Sequence, residues 1–319
     1  VPAPGLAAAE AAAAALADRS APAGPFDGRV RPVAAEAAEW RRRGLSPSAL
    51  DELAACPFRF FAGRVLGLPE PEEAAERGEL DAATRGRLYH AVLERAKDDG
   101  LERALVEVFS ANDWRVLGLY PLLWEALREE MSVHLRAFAE WDAEDLAKRG
   151  MRPRWSEKAL EGAPPEGAPG GVPWRGKLDR VETDPATRRF RVTDFKTKRS
   201  ARWAKPAKAV EAGETHQLPV YAELAAAALG PGWTFDGASY RFVETADARE
   251  AELTAADWSA LRAPFFARLA RRLEEAADGR FPIRPDDRDP GHCTYCGFAA
   301  ACRKAHSPSR TRAERLIGA

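Results

Sequence analysis

Two neighbouring segments limit the fold more than anything else in these 319 residues. "VPWRGKLDRVET" (residues 172–183) and "RRFRVTDFKTK" (residues 188–198) each alternate apolar with polar side chains, and "DPAT" at 184–187 separates them. Alternation at period two marks a strand with one buried face, and so short a break between two such runs marks a hairpin. A sheet therefore begins here. "RPRWSEKALEG" before the pair and "GASYRFVET" after it read as further strands, the second following a helix in "GETHQLPVYAELAAAALG". Upstream, Ser46 and Pro47 open a helix that ends near Cys56. Thr84 caps a second helix that Gly100 stops, and helical periodicity runs on through residues 119–150. "APPEGAPGG" (163–171) is a flexible loop. A last amphipathic helix, "DWSALRAPFFARLARRLEEAADG", puts Trp258, Leu261, Phe265, Leu269 and Leu273 on one side. Helices, three strands, a helix and a strand predict an α/β fold: a small mixed sheet flanked by helices.

Composition removes several alternatives. No run reaches the roughly 18 to 20 apolar residues of a membrane span. The Ala-rich opening carries Glu10 and Asp18 and lacks a basic start, so it does not read as a signal peptide. The chain begins at Val1, as a piece of a longer polypeptide would. Net charge is −1, so any case for a nucleic-acid partner must be local.

Such a case exists in the second hairpin strand. Asp194 and Lys196 are two apart and share a face, and Asp179 in the first strand falls opposite or diagonal to Asp194. Paired carboxylates repel unless a cation lies between them, and oxygen ligands favour Mg²⁺ or Mn²⁺. Lys196 could then orient water or neutralise phosphate charge. An Asp-x-Lys pair on a strand is by itself most often a solvated face. Gly176, costly inside a strand unless something approaches the backbone, His90 one helical turn after Gly86, and Gln217 with Tyr221 four residues on, surround it with further candidates. From Arg188 to Lys208 the chain also carries Arg188, Arg189, Arg191, Lys196, Lys198, Arg199, Arg202, Lys205 and Lys208 against Asp194 alone, with Trp203 among them. The run reads as a phosphate-backbone track, with Arg188, Arg189, Lys198, Arg199, Arg202, Trp203 and Lys205 as contacts.

The chain has four cysteines: Cys56, then Cys293, Cys296 and Cys302 in "CTYCGFAAAC". So few thiols, so grouped, read as a metal site in a reducing compartment, the cytoplasm by default. Spacing alone leaves Zn²⁺ and a [4Fe–4S] cluster open, with His292 as an alternative ligand. Either would close a loop of roughly 240 residues, a gain on the order of 5 kcal/mol in the chain-entropy model.

"SPSALDELAACPFRFF", "GRLYHAVLE", "GKLDRVE", "VTDFKTK", "QLPVY" and "CTYCGFAAAC" stand in the order seen in PD-(D/E)XK nucleases of the RecB/AddB type, and between Ser46 and Cys302 the chain most resembles the AddB-like, iron–sulfur branch. The resemblance implies a restriction-endonuclease-like core. It implies a catalytic metal held by His90, Asp179, Asp194 and the main-chain carbonyl of Phe195, with Lys196 as catalytic lysine. Gln217 and Tyr221 would support the site and contact DNA, and Glu157 would match a supporting acidic position. Cys56, Cys293, Cys296 and Cys302 would hold a 4Fe-4S cluster as a staple. Leu178 replaces the proline before the first Asp of the family name, as is usual in that branch.

The implied activity is Mg²⁺- or Mn²⁺-dependent DNA cleavage, as an exonuclease on single-stranded ends beside a helicase partner in double-strand break repair. The alternatives are a nuclease-like DNA-binding scaffold that does not cleave, and a zinc-stapled nucleic-acid modifier. The expected division is 1–44 as a helical segment or remnant of a preceding domain, 45–305 as the nuclease domain, and 306–319 as a tail.

Overall fold

The computed structural model describes residues 4–70, 79–162, 172–288 and 291–318. The loop expected at 163–171 lies outside them. Its contacts divide the chain into two compact units. One comprises Val1–Glu72, Glu166–Pro173 and Pro264–Ala319, and the other Glu73–Pro165 and Trp174–Ala263. Residues 1–44 and 306–319 both fall in the first unit, where Arg312 of the Ser307–Gly318 helix is 1% exposed and needs buried partners. It finds them in Asp27 Oδ2, 2.9 Å away, and the Leu16 carbonyl.

The second unit is built on a five-stranded sheet of β1 (Arg152–Gly162), β2 (Trp174–Asp184), β3 (Arg189–Lys196), β4 (Thr234–Phe242) and β5 (Glu250–Thr254), arranged in that order. β3 and β4 are parallel and the other neighbours antiparallel. The hairpin forms as the alternation requires, its four-residue loop set one residue later than expected. Asp184 Oδ1 accepts the Ala186 and Thr187 amides, and Arg188 takes a left-handed φ of 53° to turn the chain. The short β5 was not legible, since "EAELT" has too few residues to display a period.

A parallel pair needs a crossover, and helices Pro206–Ala212 and Gln217–Leu229 supply it between β3 and β4. The second of these covers the sheet with Leu218, Val220, Tyr221, Leu224 and Ala225, all buried. Helices Ala82–Asp99, Leu101–Ala111 and Pro121–Arg149 enclose a core that includes Leu88, Tyr89, Phe109, Trp124, Leu135 and Phe138, together with Phe195 and Val243 from the sheet ends. The first starts at Asp81, whose carboxylate accepts the Thr84 amide at 2.8 Å, so the cap is Asp81 and not Thr84; Gly100 ends it as expected. An acidic cap three residues before the amide it accepts also complements the helix dipole.

Behind β2 and β3 lies a buried charge network. Arg180, Glu182, Asp142 and Arg241 interlock, with Arg180 bonded to both Asp142 and Glu182 and Thr193 donating to Glu182 at 2.7 Å. Glu182 is fully buried, and its two guanidinium neighbours outweigh the burial penalty and hold its carboxyl down at about 2. This network ties the Pro121–Arg149 helix to β2 and to the end of β4.

Candidate active site

The β2–β3 ladder begins at Arg180 opposite Thr193, so Asp179 and Asp194 stand one step beyond the last ladder pair, on facing strands. There the strands part. Asp179 Oδ2 accepts the Phe195 amide at 2.7 Å, replacing the ladder bond with a carboxylate that is itself buried. Alternation sends Thr193 and Phe195 towards the helical core and Asp194 and Lys196 to the opposite face.

His90 enters from the Ala82–Asp99 helix. Its Nε2 lies 3.1 Å from the Phe195 carbonyl oxygen, and its Nδ1 lies 3.1 Å from Glu157 Oε1 and 3.5 Å from Asp179 Oδ1. Burial works against a charged imidazole, but Asp179 and Glu157 outweigh it and lift His90 to about 10. Ligand atoms of His90, Glu157 and Asp179 all fall within 4.8 Å of one another. Glu157 sits in mid-strand with a φ of 48°, rare for a residue bearing a Cβ, and such strain gathers at functional sites. Lys177 Nζ holds its other oxygen at 2.7 Å. Burial raises the Glu157 carboxyl, yet His90 and Lys177 pull it below its ordinary value. Glu157, a supporting acid by the resemblance, stands here with His90 and Asp179, in a backbone conformation that residue type does not reveal.

Asp194 stands just outside that group. It is 1% exposed, and burial together with the Asp179 charge pushes it up to about 7 against the pull of Lys196, whose Nζ is 2.6 Å away. Lys196 donates to Gln217 Oε1 at 3.0 Å, and Gln217 Nε2 donates to the Tyr221 hydroxyl at 3.3 Å. The Tyr221 ring reaches this position because Gly176 has no Cβ: one placed there would meet Tyr221 Cε1 at 2.7 Å. Gly86 has no such necessity, since a Cβ there would make only ordinary contact with Thr197 Oγ1 at 3.7 Å. The structure therefore gathers every catalytic candidate of the sequence, His90, Asp179, Asp194, Lys196, Gln217 and Tyr221, around the Phe195 carbonyl end of β3.

The basic track does not hold together. Arg188, Arg189 and Arg191 lie at the far end of β3, roughly 20 Å of extended strand from Lys196. Two of them serve local acids, Arg189 bonding Asp184 and Asp236 and Arg191 bonding Glu252 at 2.7 Å, while Arg188 bonds the Pro231 carbonyl. At the catalytic end Lys198, Arg199, Arg202 and Lys205 are exposed. Trp203 is half-buried, its ring 4.8 Å from the Tyr240 ring and 4.7 Å from Lys196 Nζ, so it packs on the lysine and is not a free stacking platform.

In the other unit, Cys56, Cys293, Cys296 and Cys302 line one pocket. Burial raises the Cys56 and Cys302 thiols, and the neighbouring cysteines add to it. Among the described residues no three of these sulfurs lie within 4.8 Å of one another. The expected centre is thus a shared pocket wall, not a closed ligand shell.

Asp179, Asp194 and Lys196 thus converge where two strands of a mixed, helix-flanked sheet part. A family model of the PD-(D/E)XK nuclease superfamily matches residues 44–303, and the chain belongs to that superfamily, with its restriction-endonuclease-like α/β core. The chain is also similar to a crystal structure from Eubacterium rectale that carries the provisional name of an exonuclease, at 14% identity, a TM-score of 0.46, and coverage of 79% of this chain and 88% of that one. No curated protein matches the sequence.

Proposed function

We propose that the chain hydrolyses DNA phosphodiesters, acting as an exonuclease on single-stranded ends supplied by a helicase partner. The observation that carries the cleavage reading is the continuous set of contacts from His90, Glu157 and Asp179 through the Phe195 main chain to Asp194, Lys196, Gln217 and Tyr221. A binding scaffold has no need to bury Asp194 beside Asp179 at the cost of a raised carboxyl. The donor set is oxygen-rich with one imidazole and fits Mg²⁺ or Mn²⁺, held by His90, Asp179, Asp194 and the Phe195 carbonyl, with Glu157 within reach. Such an ion would supply Lewis-acid polarisation and an activated water. Lys196, fixed by Asp194 and Gln217, offers its ammonium to charge developing on the phosphate. Gln217 and Tyr221 hold that ammonium in place, and exposed Lys198, Arg199, Arg202 and Lys205 attract the strand.

For the thiols the reading is a [4Fe–4S] cluster. What supports it is the Cys-x2-Cys-x5-Cys run with Cys56 as its distant partner, thiols that line one pocket and come from sequence on both sides of the sheet unit.

The deciding experiment is digestion of end-labelled single-stranded DNA by Asp194→Ala and Lys196→Ala, with Mg²⁺ and with a chelator. Cleavage should fall by at least about 10²-fold while DNA affinity holds. Wild-type digestion rates in either variant would reject the assignment.

A further inference from the structure

A cavity of about 110 Å³ in the unit that carries the thiols has a composition that neither the cleavage reading nor the cysteines use. The Ala255–Ala277 helix presents Arg271, Arg272 and Glu275 to it at helical spacings, and Arg280 and Arg284 complete the wall. Four guanidiniums thus share one space with a single carboxylate. Arg280 has Asp278 at 3.7 Å, on an exposed side chain. Arg284 donates from Nη1 to the Ala54 carbonyl at 2.8 Å, which fixes its guanidinium without neutralising it. The crowding has a consequence at Arg272: burial and the charges of Arg284, Arg268 and Arg271 push it down to about 10. Like charges so close repel one another, and an anion held among them would offset that repulsion.

We propose that this cavity is a binding site for a phosphate group, presented either by a nucleic-acid strand or as a free small anion. Planar guanidinium forks match phosphate oxygens two at a time, and a phosphate has enough oxygens to take more than one fork. The volume is several times the roughly 10–15 Å³ that one water needs, so a polyatomic ion fits. The rest of the wall is apolar, Leu53, Ala54, Pro57, Pro282, Leu316 and Ile317, which leaves charge as its chief means of recognition. This site stands whether or not the sheet unit cleaves DNA.

The test uses the full chain carrying R271Q or R272Q. Arg271 is exposed, so R271Q is expected to fold and decides the matter if R272Q does not. In one arm, inorganic phosphate is titrated against the melting temperature at matched ionic strength. In the other, single-stranded oligonucleotide binding is measured over a salt series in a chelator, in an Asp194→Ala background that prevents digestion. A phosphate-induced rise in melting temperature that the variants lose supports a free-anion site. An affinity about tenfold weaker, with a log–log salt slope reduced by about 0.7 for each lost contact, supports a strand phosphate. If folded R271Q matches the parent in both arms, or if chloride reproduces the phosphate effect, the proposal is overturned.

Discussion

Asp179 accepts the Phe195 amide at 2.7 Å where the β2–β3 ladder has run out. One carboxylate thereby ends a hairpin and pins the residue whose carbonyl faces His90 Nε2. The other Asp179 oxygen turns to the His90 Nδ1 side, so a single side chain joins the sheet to the helix that brings the imidazole.

Glu157 is expected to matter as much as the residues that the resemblance placed first. It bonds His90 and Lys177 from a strained backbone position. Glu157→Gln keeps the shape and removes the charge. Apparent affinity for Mn²⁺, read by calorimetry and by metal dependence of cleavage, should weaken by about 10- to 100-fold. An unchanged metal titration would make Glu157 a purely structural partner.

Trp203 is expected to act on cleavage through Lys196. Its ring and that of Tyr240 flank the ammonium at 4.7 and 5.4 Å, and a desolvated cation–π contact is worth up to about 2 kcal/mol. Trp203→Ala should lower kcat roughly tenfold with little change in KM, and Trp203→Phe should restore most of it. Loss of DNA affinity with kcat intact would return Trp203 to the role of a strand contact.

Acid stability should report Glu182. Its carboxyl is held at about 2, below its ordinary 4.5, so the stabilisation is complete above the ordinary value and drains away as pH falls from 4.5 towards 2. The parent's melting temperature should drop across that window. Glu182→Gln should start lower, by about 3–5 kcal/mol at neutral pH, because Arg180 and Arg241 lose a buried counter-charge, and should fall less steeply in acid. Parallel melting curves would assign the acid sensitivity to other carboxyls.

The thiols admit a direct check on anaerobically purified protein. If they hold the proposed cluster, Cys296→Ser should lose visible absorbance and bound iron, and melt at lower temperature, since that cross-link would restrain a long loop. A colourless parent holding one zinc would replace the cluster with a zinc staple.

The hairpin, its two aspartates and the lysine were legible in the sequence because a strand's period is two and its neighbours are set by a turn. Those rules act over a few residues and need no partner from afar. His90 and the Gln217–Tyr221 pair could be named only by motif, and what aligned them was the packing of Phe195 against Phe138 and the missing Cβ of Gly176. The basic run divides for the complementary reason: adjacency along a strand is separation in space, so Arg189 and Arg191 meet the acids of the opposite sheet end. Sequence by itself determined which chemistry the chain could hold. Tertiary structure alone decided which charges meet a substrate and which merely meet each other, because ion pairs form across distances that only folding makes short.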